Sequence, residues 1–445
     1  MNLEEYINSI KGSSIAVIGA GISNEPLIRL LCISGCDVTV CDRRDFAALG
    51  SKALELISLG AKLRLGEDYL ENLNQDIIFR TPGLMPFDEH LLKAGERGSV
   101  ITSEMELFFA LCPCKTVCIT GSDGKTTTTS IIAELLKRAG KTVYVGGNIG
   151  RPLLCDTPVM KKDGIAVIEL SSFQLHSMTC SPDVAVITNI TPNHLDKHGS
   201  YEDYIKAKKQ IFINQKPGSR LVLNLDDALV STFPGTEYFS LEKECRGAYV
   251  KDGVIFRNGR QLMKTEDILL PGEHNVKNFL AAFAASEGEV SDEICSAVAR
   301  EFSGVPHRLE RVRELGGISF INDSIGTSPV RTIAGLKAMK DKPVIILGGY
   351  DKLIPFDELG EELVKRAKKA VITGATAEKI AAAIDRAGRL EYYIIPDFDR
   401  AVKKAFEIAE EGDTVLFSPA CASFDAFKNF EERGNHFKKL VMELE

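Results

Sequence analysis

The stretch Gly121-Ser122-Asp123-Gly124-Lys125-Thr126-Thr127 lies between the apolar run Val117-Cys118-Ile119 and the periodic segment Ile131-Ile132-Ala133-Glu134-Leu135-Leu136. A buried-strand pattern that runs into paired glycines and resumes at helical spacing restricts this part of the chain to strand, tight turn and helix. Such a turn aims backbone N–H groups outward at a helix N-terminus, where an anion is favoured. The strict phosphate-loop pattern asks for a glycine five residues before Gly124, and Ile119 stands there. The physical parts are still present: Gly121 and Gly124 let the backbone converge, Lys125 supplies a point charge, and Thr126 offers a hydroxyl to Mg²⁺. A plain helix cap is the alternative. Four consecutive threonines open the helix with poor propensity, so tertiary contacts or a ligand must hold it.

The rest of the chain repeats the alternation of strand and helix. Ser14-Ile15-Ala16-Val17-Ile18, Val38-Thr39-Val40-Cys41-Asp42 and Asp76-Ile77-Ile78-Phe79 read as strands of a first α/β unit. A second series holds Thr116–Thr120, Val143–Val145, Ile165–Ile168 and Val184–Ile187. It continues into a hairpin, Gly247–Phe256, turning at Asp252-Gly253, and a helix at Asn275–Ala285. A third contains Ile318–Asn322, Val344–Leu347, Ala370–Ile372 and Thr414–Ser418, with helices at Glu361–Lys369 and Arg400–Glu410 between them. The expected fold class is α/β with parallel sheets, in three domains at 1–99, 100–305 and 306–445. A length of 445 residues fits that number.

Composition narrows the function classes. Apolar residues at 44% and charged residues at 26% are an ordinary globular balance, and no run reaches the roughly 18 apolar residues of a membrane span. A net charge of −8 argues against non-specific nucleic-acid binding. Eleven scattered cysteines suit free thiols in a reducing cytoplasm, and Cys112, Cys114 and Cys118 have no usual zinc spacing and no nearby histidine. The acidic start Met1-Asn2-Leu3-Glu4-Glu5 gives no expectation of a targeting segment, so a cytoplasmic protein is expected.

Two further constellations carry chemistry. Gly19-Ala20-Gly21-Ile22-Ser23-Asn24 begins like a dinucleotide fingerprint but has Asn24 where the third glycine belongs, and Asp42 ends the next strand where an acid would bind a ribose hydroxyl. Hydride transfer, a tight turn and a nucleotide held without nicotinamide all remain open at this loop. Arg43 and Arg44 either add charge for a diphosphate or form a solvated loop. Downstream, Glu169 ends a strand and His194 follows another, each where open α/β sheets gather their sites. With Thr126 they make a plausible metal-ligand group, against a solvated acid and a structural histidine. Tyr204 to Phe212 has an apolar helical face with lysines around it, which by itself reads as a solvated basic face.

The form G-x-x-G-K-T-T resembles that of the Mur ligase family and its folylpolyglutamate synthase relatives. So do Gly146-Gly147-Asn148-Ile149-Gly150, Leu170–Leu175, Gly272–Asn278, Pro306-His307-Arg308, Ser418–Asp425 and Phe427–Gly434, which together spread the likeness over essentially the whole chain. The resemblance implies a Rossmann-like first domain, a central ATPase-like domain and a Rossmann-like third domain. It also implies an ATP-dependent ligase acting in peptidoglycan synthesis, joining D-glutamate to UDP-N-acetylmuramoyl-L-alanine, as a monomer. By position, Gly121, Ser122, Asp123, Gly124, Lys125, Thr126 and Thr127 would hold the ATP phosphates, and Asn278, Arg308 and Asp323 the nucleoside. Thr126, Glu169, His194 and Lys208, the last carbamylated by CO₂, would hold two Mg²⁺ ions. Lys125, Asn148, His194 and Lys208 are the expected catalytic group. Asn148, Ser171 and Gln174 would face the muramoyl-alanine end, and Thr327, Lys352, Ser423 and Phe430 the incoming D-glutamate. Ile22, Ser23, Asp42, Arg43, Thr81 and Gly83 would bind the uridine diphosphate. A folate-glutamate ligase, a dinucleotide oxidoreductase and a phosphate-loop switch are the rival readings.

Two positions depart from the family. Ile325 stands where many relatives have lysine after Asn-Asp-Ser, so that charge is missing or supplied elsewhere. Asp123 replaces the usual loop asparagine and adds a negative charge beside the expected triphosphate. The expected consequence is a tighter dependence on Mg²⁺. Titrating Mg²⁺ against the rate of Asp123→Asn should give a lower optimum than wild type, and an unchanged optimum contradicts the reading.

Overall fold

The structure is a computed structural model describing residues 1–351 and 354–445, the Asp196 side chain excepted. It divides into two compact units, Met1–Phe302 and Ser303–Glu445. The first unit holds two sheets. In the five-stranded one, β1 (Ser14–Ile18), β2 (Asp37–Asp42), β3 (Lys62–Leu65), β4 (Ile77–Arg80) and β5 (Val100–Ser103) run in the order β3-β2-β1-β4-β5. All pairings are parallel, with Val17 opposite both Val40 and Phe79. Parallel strands covered on both faces need continuous apolar runs, and Ile15 to Ile18 are wholly buried. The Asp76 carboxylate accepts from the Ser14 N–H and hydroxyl, fixing the start of this register.

The nine-stranded sheet comprises β6 (Lys115–Thr120), β7 (Val143–Gly147), β8 (Ile165–Glu169), β9 (Val184–Ile187), β10 (Arg220–Asn224), β11 (Glu237–Ser240), β12 (Gly247–Lys251), β13 (Val254–Arg257) and β14 (Arg260–Lys264). Its order is β14-β13-β12-β11-β10-β9-β6-β8-β7. The chain leaves β6 for the far side of β8, comes back to β8, and then crosses to β9 on the other flank. The turns after β6, β8 and β9 therefore open side by side at a reversal of strand order, the place where such sheets bind ligands. Helix Lys125–Arg138 and helix Glu273–Ala285 pack on one face, and Asn278 to Ala285 are all buried. The expected hairpin is present: β12 and β13 pair antiparallel through Asp252 (φ 50°) and Gly253 (φ 74°), the two left-handed residues that a tight hairpin turn requires.

The second unit has six strands, β15 (Glu310–Leu315), β16 (Ile318–Asn322), β17 (Val344–Gly348), β18 (Lys369–Thr373), β19 (Tyr392–Ile394) and β20 (Thr414–Phe417), ordered β15-β16-β20-β17-β18-β19. Among the described residues only β15 runs antiparallel to its neighbour. The helix expected at Glu361–Lys369 instead spans Asp357–Arg366, and Lys369 already opens β18. Ala367 is extended (ψ 149°) because Lys369 must register opposite Val344. The helix expected at Arg400–Glu410 spans Phe398–Glu407, its start fixed by the Asp397 carboxylate accepting the Arg400 N–H. Among the described residues no helix is long and apolar enough to cross a membrane.

Candidate active site

The loop after β6 can take its shape only with its two glycines. Gly121 has φ 151° and Gly124 φ 78°, and a Cβ on them would lie 1.9 Å from Thr188 Oγ1 and 2.4 Å from Asn278 Oδ1 respectively. Space and backbone conformation thus exclude a side chain at both. The Asp123 N–H donates to Asn189 Oδ1 at 2.9 Å, while its carbonyl accepts from Thr188 Oγ1 and Asn189 Nδ2. Its own side chain is exposed. The Ser122 hydroxyl donates to the Thr191 carbonyl at 2.9 Å and lies 3.0 Å from Tyr204 OH. Lys125 folds back over the loop, its Nζ donating to the carbonyls of Gly121 (3.0 Å) and Ser122 (2.8 Å). Among the described residues no N-cap side chain bonds the start of helix Lys125–Arg138, and a helix N-terminus of this kind, Thr127 in its first turn, favours an anion in the loop.

Glu169, at the end of β8, brings two neighbouring strands together. Its carboxylate is 2% exposed and accepts from Thr126 Oγ1 and from Asn148 Nδ2, both at 2.7 Å. Asn148 follows β7, where Gly147 (φ 100°) lets the turn approach so closely that a Cβ would lie 2.2 Å from the Glu169 carbonyl. Ser171 and Gln174 have local partners: they form a capping box on the short helix Ser172–Leu175.

Lys208 is 1% exposed and lies beneath the loop, donating to the Gly121 carbonyl at 2.7 Å and resting over the Tyr204 ring. Burial, and then the charge of Lys125, hold its amine well below the usual lysine range. His194 is exposed, with φ 54°, and caps the short helix Leu195–His198; its ring lies 5.2 Å from that of Phe173. His198, which sequence reasoning missed, is buried at that helix's other end. It is stacked on Phe173 and its Nε2 is 2.9 Å from Ser172 Oγ. Burial first, then His176, Lys208 and His194, push its pKa down to about 4. Its four-residue spacing from His194 was the available signal. Among the described residues no group of three or more His, Cys, Asp or Glu side chains converges as a metal cage. Cys112 and Cys114 lie with their sulfurs 3.7 Å apart, and all eleven cysteines are free.

A cavity of about 370 Å³ opens between the two sheets of this unit. Ile22, Ser23, Thr81, Gly83, Asn148 and Gln174 all line it. Asp42 has partners of its own: its carboxylate accepts from the Ala20 N–H and from Arg44, and these bonds overcome burial to hold it below the ordinary carboxylate range. Arg43 is exposed.

In the second unit, Asp323 is buried, accepting from Ser418 Oγ at 2.7 Å and the Leu309 N–H at 3.2 Å, and burial pushes its pKa up to about 6. Arg308 is exposed. Thr327 follows in the same loop, its N–H donating to the Ile325 carbonyl. Ser423 is buried, and its carbonyl accepts the Ala426 and Phe427 N–H groups. The Phe430 carbonyl accepts from Ser324 Oγ. Arg433, also unanticipated, is 3% exposed and braces two of these loops, donating to the carbonyls of Ser324, Cys421 and Ala422. Lys352 lies outside the described residues.

Comparison with known proteins gives a consistent result. The family profile described as Mur ligase middle domain matches residues 119–286, and that described as Mur ligase, glutamate ligase domain matches 307–421. A curated relative from Acetivibrio thermocellus, a UDP-N-acetylmuramoylalanine–D-glutamate ligase, is 47% identical over 100% of this chain and 99% of its own. One of the same name from Ruminiclostridium cellulolyticum is 44% identical over 99% of each. Among solved structures, a UDP-N-acetylmuramate-alanine ligase from Thermotoga maritima shares the fold at TM-score 0.54 and 20% identity, over 97% of this chain and 99% of that one. A UDP-N-acetylmuramoyl-L-alanyl-D-glutamate–2,6-diaminopimelate ligase does so at TM-score 0.53 and 19% identity, over 97% and 92%.

The raised pKa of Asp323 has a stability consequence. The native state favours its protonated form, so its contribution is full below about pH 4 and is lost as pH rises through about 6. Denaturant unfolding of Asp323→Asn should lack that decline, roughly 2–3 kcal/mol across the window; an identical pH slope in wild type and variant contradicts it.

Proposed function

Because this chain belongs to the Mur ligase family, we propose that it joins D-glutamate to UDP-N-acetylmuramoyl-L-alanine, converting ATP to ADP and phosphate, as a step of peptidoglycan synthesis. The observation that carries this is the Gly121–Thr127 loop, with Thr126 and Asn148 both fixed on Glu169, in a chain alike over its full length to ligases of that name.

A carboxylate will not yield oxide to an amine, so it must first be phosphorylated. An oxygen of the alanyl carboxylate attacks the γ-phosphorus of ATP, the bond to the β,γ-bridging oxygen breaks, and ADP leaves an acyl phosphate. The amine of D-glutamate then attacks the carbonyl carbon, loses a proton and displaces phosphate. Lys125 and the first-turn N–H groups hold the transferring phosphates. Asn278, packed against Gly124, sets the depth of the loop on the nucleoside side, and Arg308 and Asp323 contact the nucleoside. Thr126 and Glu169 fit Mg²⁺, since a hydroxyl and a buried carboxylate are hard oxygen donors. When bound, the ion neutralises phosphate charge. His194 positions the phosphorylated substrate.

Several finer assignments belong to the same reading. Two Mg²⁺ ions are held by Thr126, Glu169, His194 and Lys208. Ile22, Ser23, Asp42, Arg43, Thr81 and Gly83 hold the uridine diphosphate. Asn148, Ser171 and Gln174 face the muramoyl-alanine end, and Thr327, Lys352, Ser423 and Phe430 the D-glutamate. The protein works as a cytoplasmic monomer in three domains, 1–99, 100–305 and 306–445. The three separate sheets support that division, although the pairing of β5 with β4 favours a first boundary beyond Ser103.

Lys208 is carbamylated: its neutral amine attacks CO₂, a proton leaves, and the side chain becomes an anion. Its burial beneath the loop, with a carbonyl and a hydroxyl as hydrogen-bond partners, supports this. Isotope-labelled bicarbonate should give a carbamate NMR resonance that Lys208→Met lacks; the same spectrum from both proteins rejects the modification.

The overall reaction is tested by a panel of amino acids. ADP release in the presence of UDP-N-acetylmuramoyl-L-alanine should require D-glutamate and fail with L-glutamate or L-lysine. Release independent of any amino acid favours a phosphate-loop ATPase instead, and release with a folate acceptor favours the folate-glutamate ligase.

A further inference from the structure

Arg80 ends β4 and is 1% exposed, yet among the described residues no carboxylate bonds its guanidinium. One terminal nitrogen donates to the Leu84 carbonyl at 3.1 Å, closing the Thr81–Leu84 turn. The other crosses to the second sheet's side of the cavity, donating to the Phe173 carbonyl at 3.2 Å and to Ser177 Oγ. Phe173 belongs to the short helix that carries Gln174. Arg80, Thr81, Gly83 and Gln174 all line the same cavity.

The arrangement is costly as architecture. Among the described residues Arg80 Nε is buried without a hydrogen-bond partner, and so is Glu106 Oε2, an acceptor of opposite charge nearby. Burial pushes the Glu106 carboxyl up and the Arg80 guanidinium down. An unsatisfied buried donor and acceptor destabilise a fold, and apolar residues of similar volume would hold the two sheets together at lower cost. A buried polar group of this kind calls for a role, and the cavity that Arg80 lines offers one.

We propose that Arg80 is a positioning residue for the nucleotide-sugar substrate, locking the Thr81–Leu84 turn and the Ser171–Gln174 segment into one rigid binding wall. This rests on the substrate assignment above. Substrate is gripped from two sheets, and Arg80 donates to both walls of the cavity. Losing it lets the walls move separately, which weakens capture of the nucleotide sugar and leaves the phosphate loop, built on Glu169, Thr188 and Asn278, unchanged.

The test compares wild type, Arg80→Met, Arg80→Lys and Ser177→Ala by calorimetric binding of UDP-N-acetylmuramoyl-L-alanine without ATP, by KM for each substrate, and by melting temperature. Arg80→Met should raise Kd and KM for the nucleotide sugar about tenfold or more, while the KM for ATP changes less than about twofold. Arg80→Lys should recover part of the loss, and Ser177→Ala should shift the same two constants by a smaller factor. Unchanged nucleotide-sugar affinity in a folded Arg80→Met overturns the proposal. So does an equal change in the KM values for nucleotide sugar and ATP, or a lowered melting temperature with wild-type constants in Arg80→Lys and Ser177→Ala. Wild type that binds the nucleotide sugar without turning it over overturns the ligase reading alone; wild type that does not bind it overturns both.

Discussion

The Glu169 carboxylate organises the first unit's candidate active site. It is removed from water, so its two oxygens must find donors inside the protein, and they find Thr126 at the start of one helix and Asn148 beyond a neighbouring strand. Bonds to a charged acceptor contribute about 1.5–3 kcal/mol each, and losing one leaves a buried charge underserved. The geometry follows from the sheet: β8 lies between β6 and β7, so its end is within reach of both turns. Had the strands followed chain order, β7 would separate the loop from the carboxylate.

The loop closes around this centre by exclusion of volume. Thr188 and Asn278 approach Gly121 and Gly124 so closely that no side chain fits, and each also contributes polar atoms nearby. The loop is therefore held from β9's side and from the Glu273–Ala285 helix at once, while Lys208 bonds Gly121 from below. A polypeptide pinned in this way can present its N–H groups to a phosphate without having to order itself first.

Much of this was legible in the sequence where the signal was local. The glycines of the loop, the apolar parallel strands and the Asp252-Gly253 turn each follow from what a few adjacent residues can do. Ser171 and Gln174 show the limit of that method: a serine followed three residues later by glutamine is a capping box, and that local role is visible whatever substrate they also face. Asp42 is similar, for its place at a strand end does not reveal that its carboxylate also accepts from Ala20 and Arg44. Arg80 and Arg433 carry no local mark of their roles, because each is buried through contacts with distant segments, whereas His198 had its spacing from His194 as a signal. For Arg433 those contacts are carbonyls more than a hundred residues upstream as well as in the adjacent loop. Helix ends were misplaced where a cap or a strand register, and not propensity, sets them, as at Asp397 and Lys369.

The antiparallel extension of the nine-stranded sheet has a consequence for how these molecules behave at high concentration. A sheet ending in a parallel strand such as β11 would leave an open row of backbone donors and acceptors beside apolar side chains. Here the last strand is β14, reached through a hairpin, and it presents exposed Arg260, Gln261 and Lys264 along the outer edge. Charged residues on an edge strand make it a poor template for another chain. Arg260 is in turn held by Asp292, so its charge is fixed at that margin. The hairpin that ends the sheet on this side thereby guards that edge against strand addition between neighbours, while β7 forms the opposite edge.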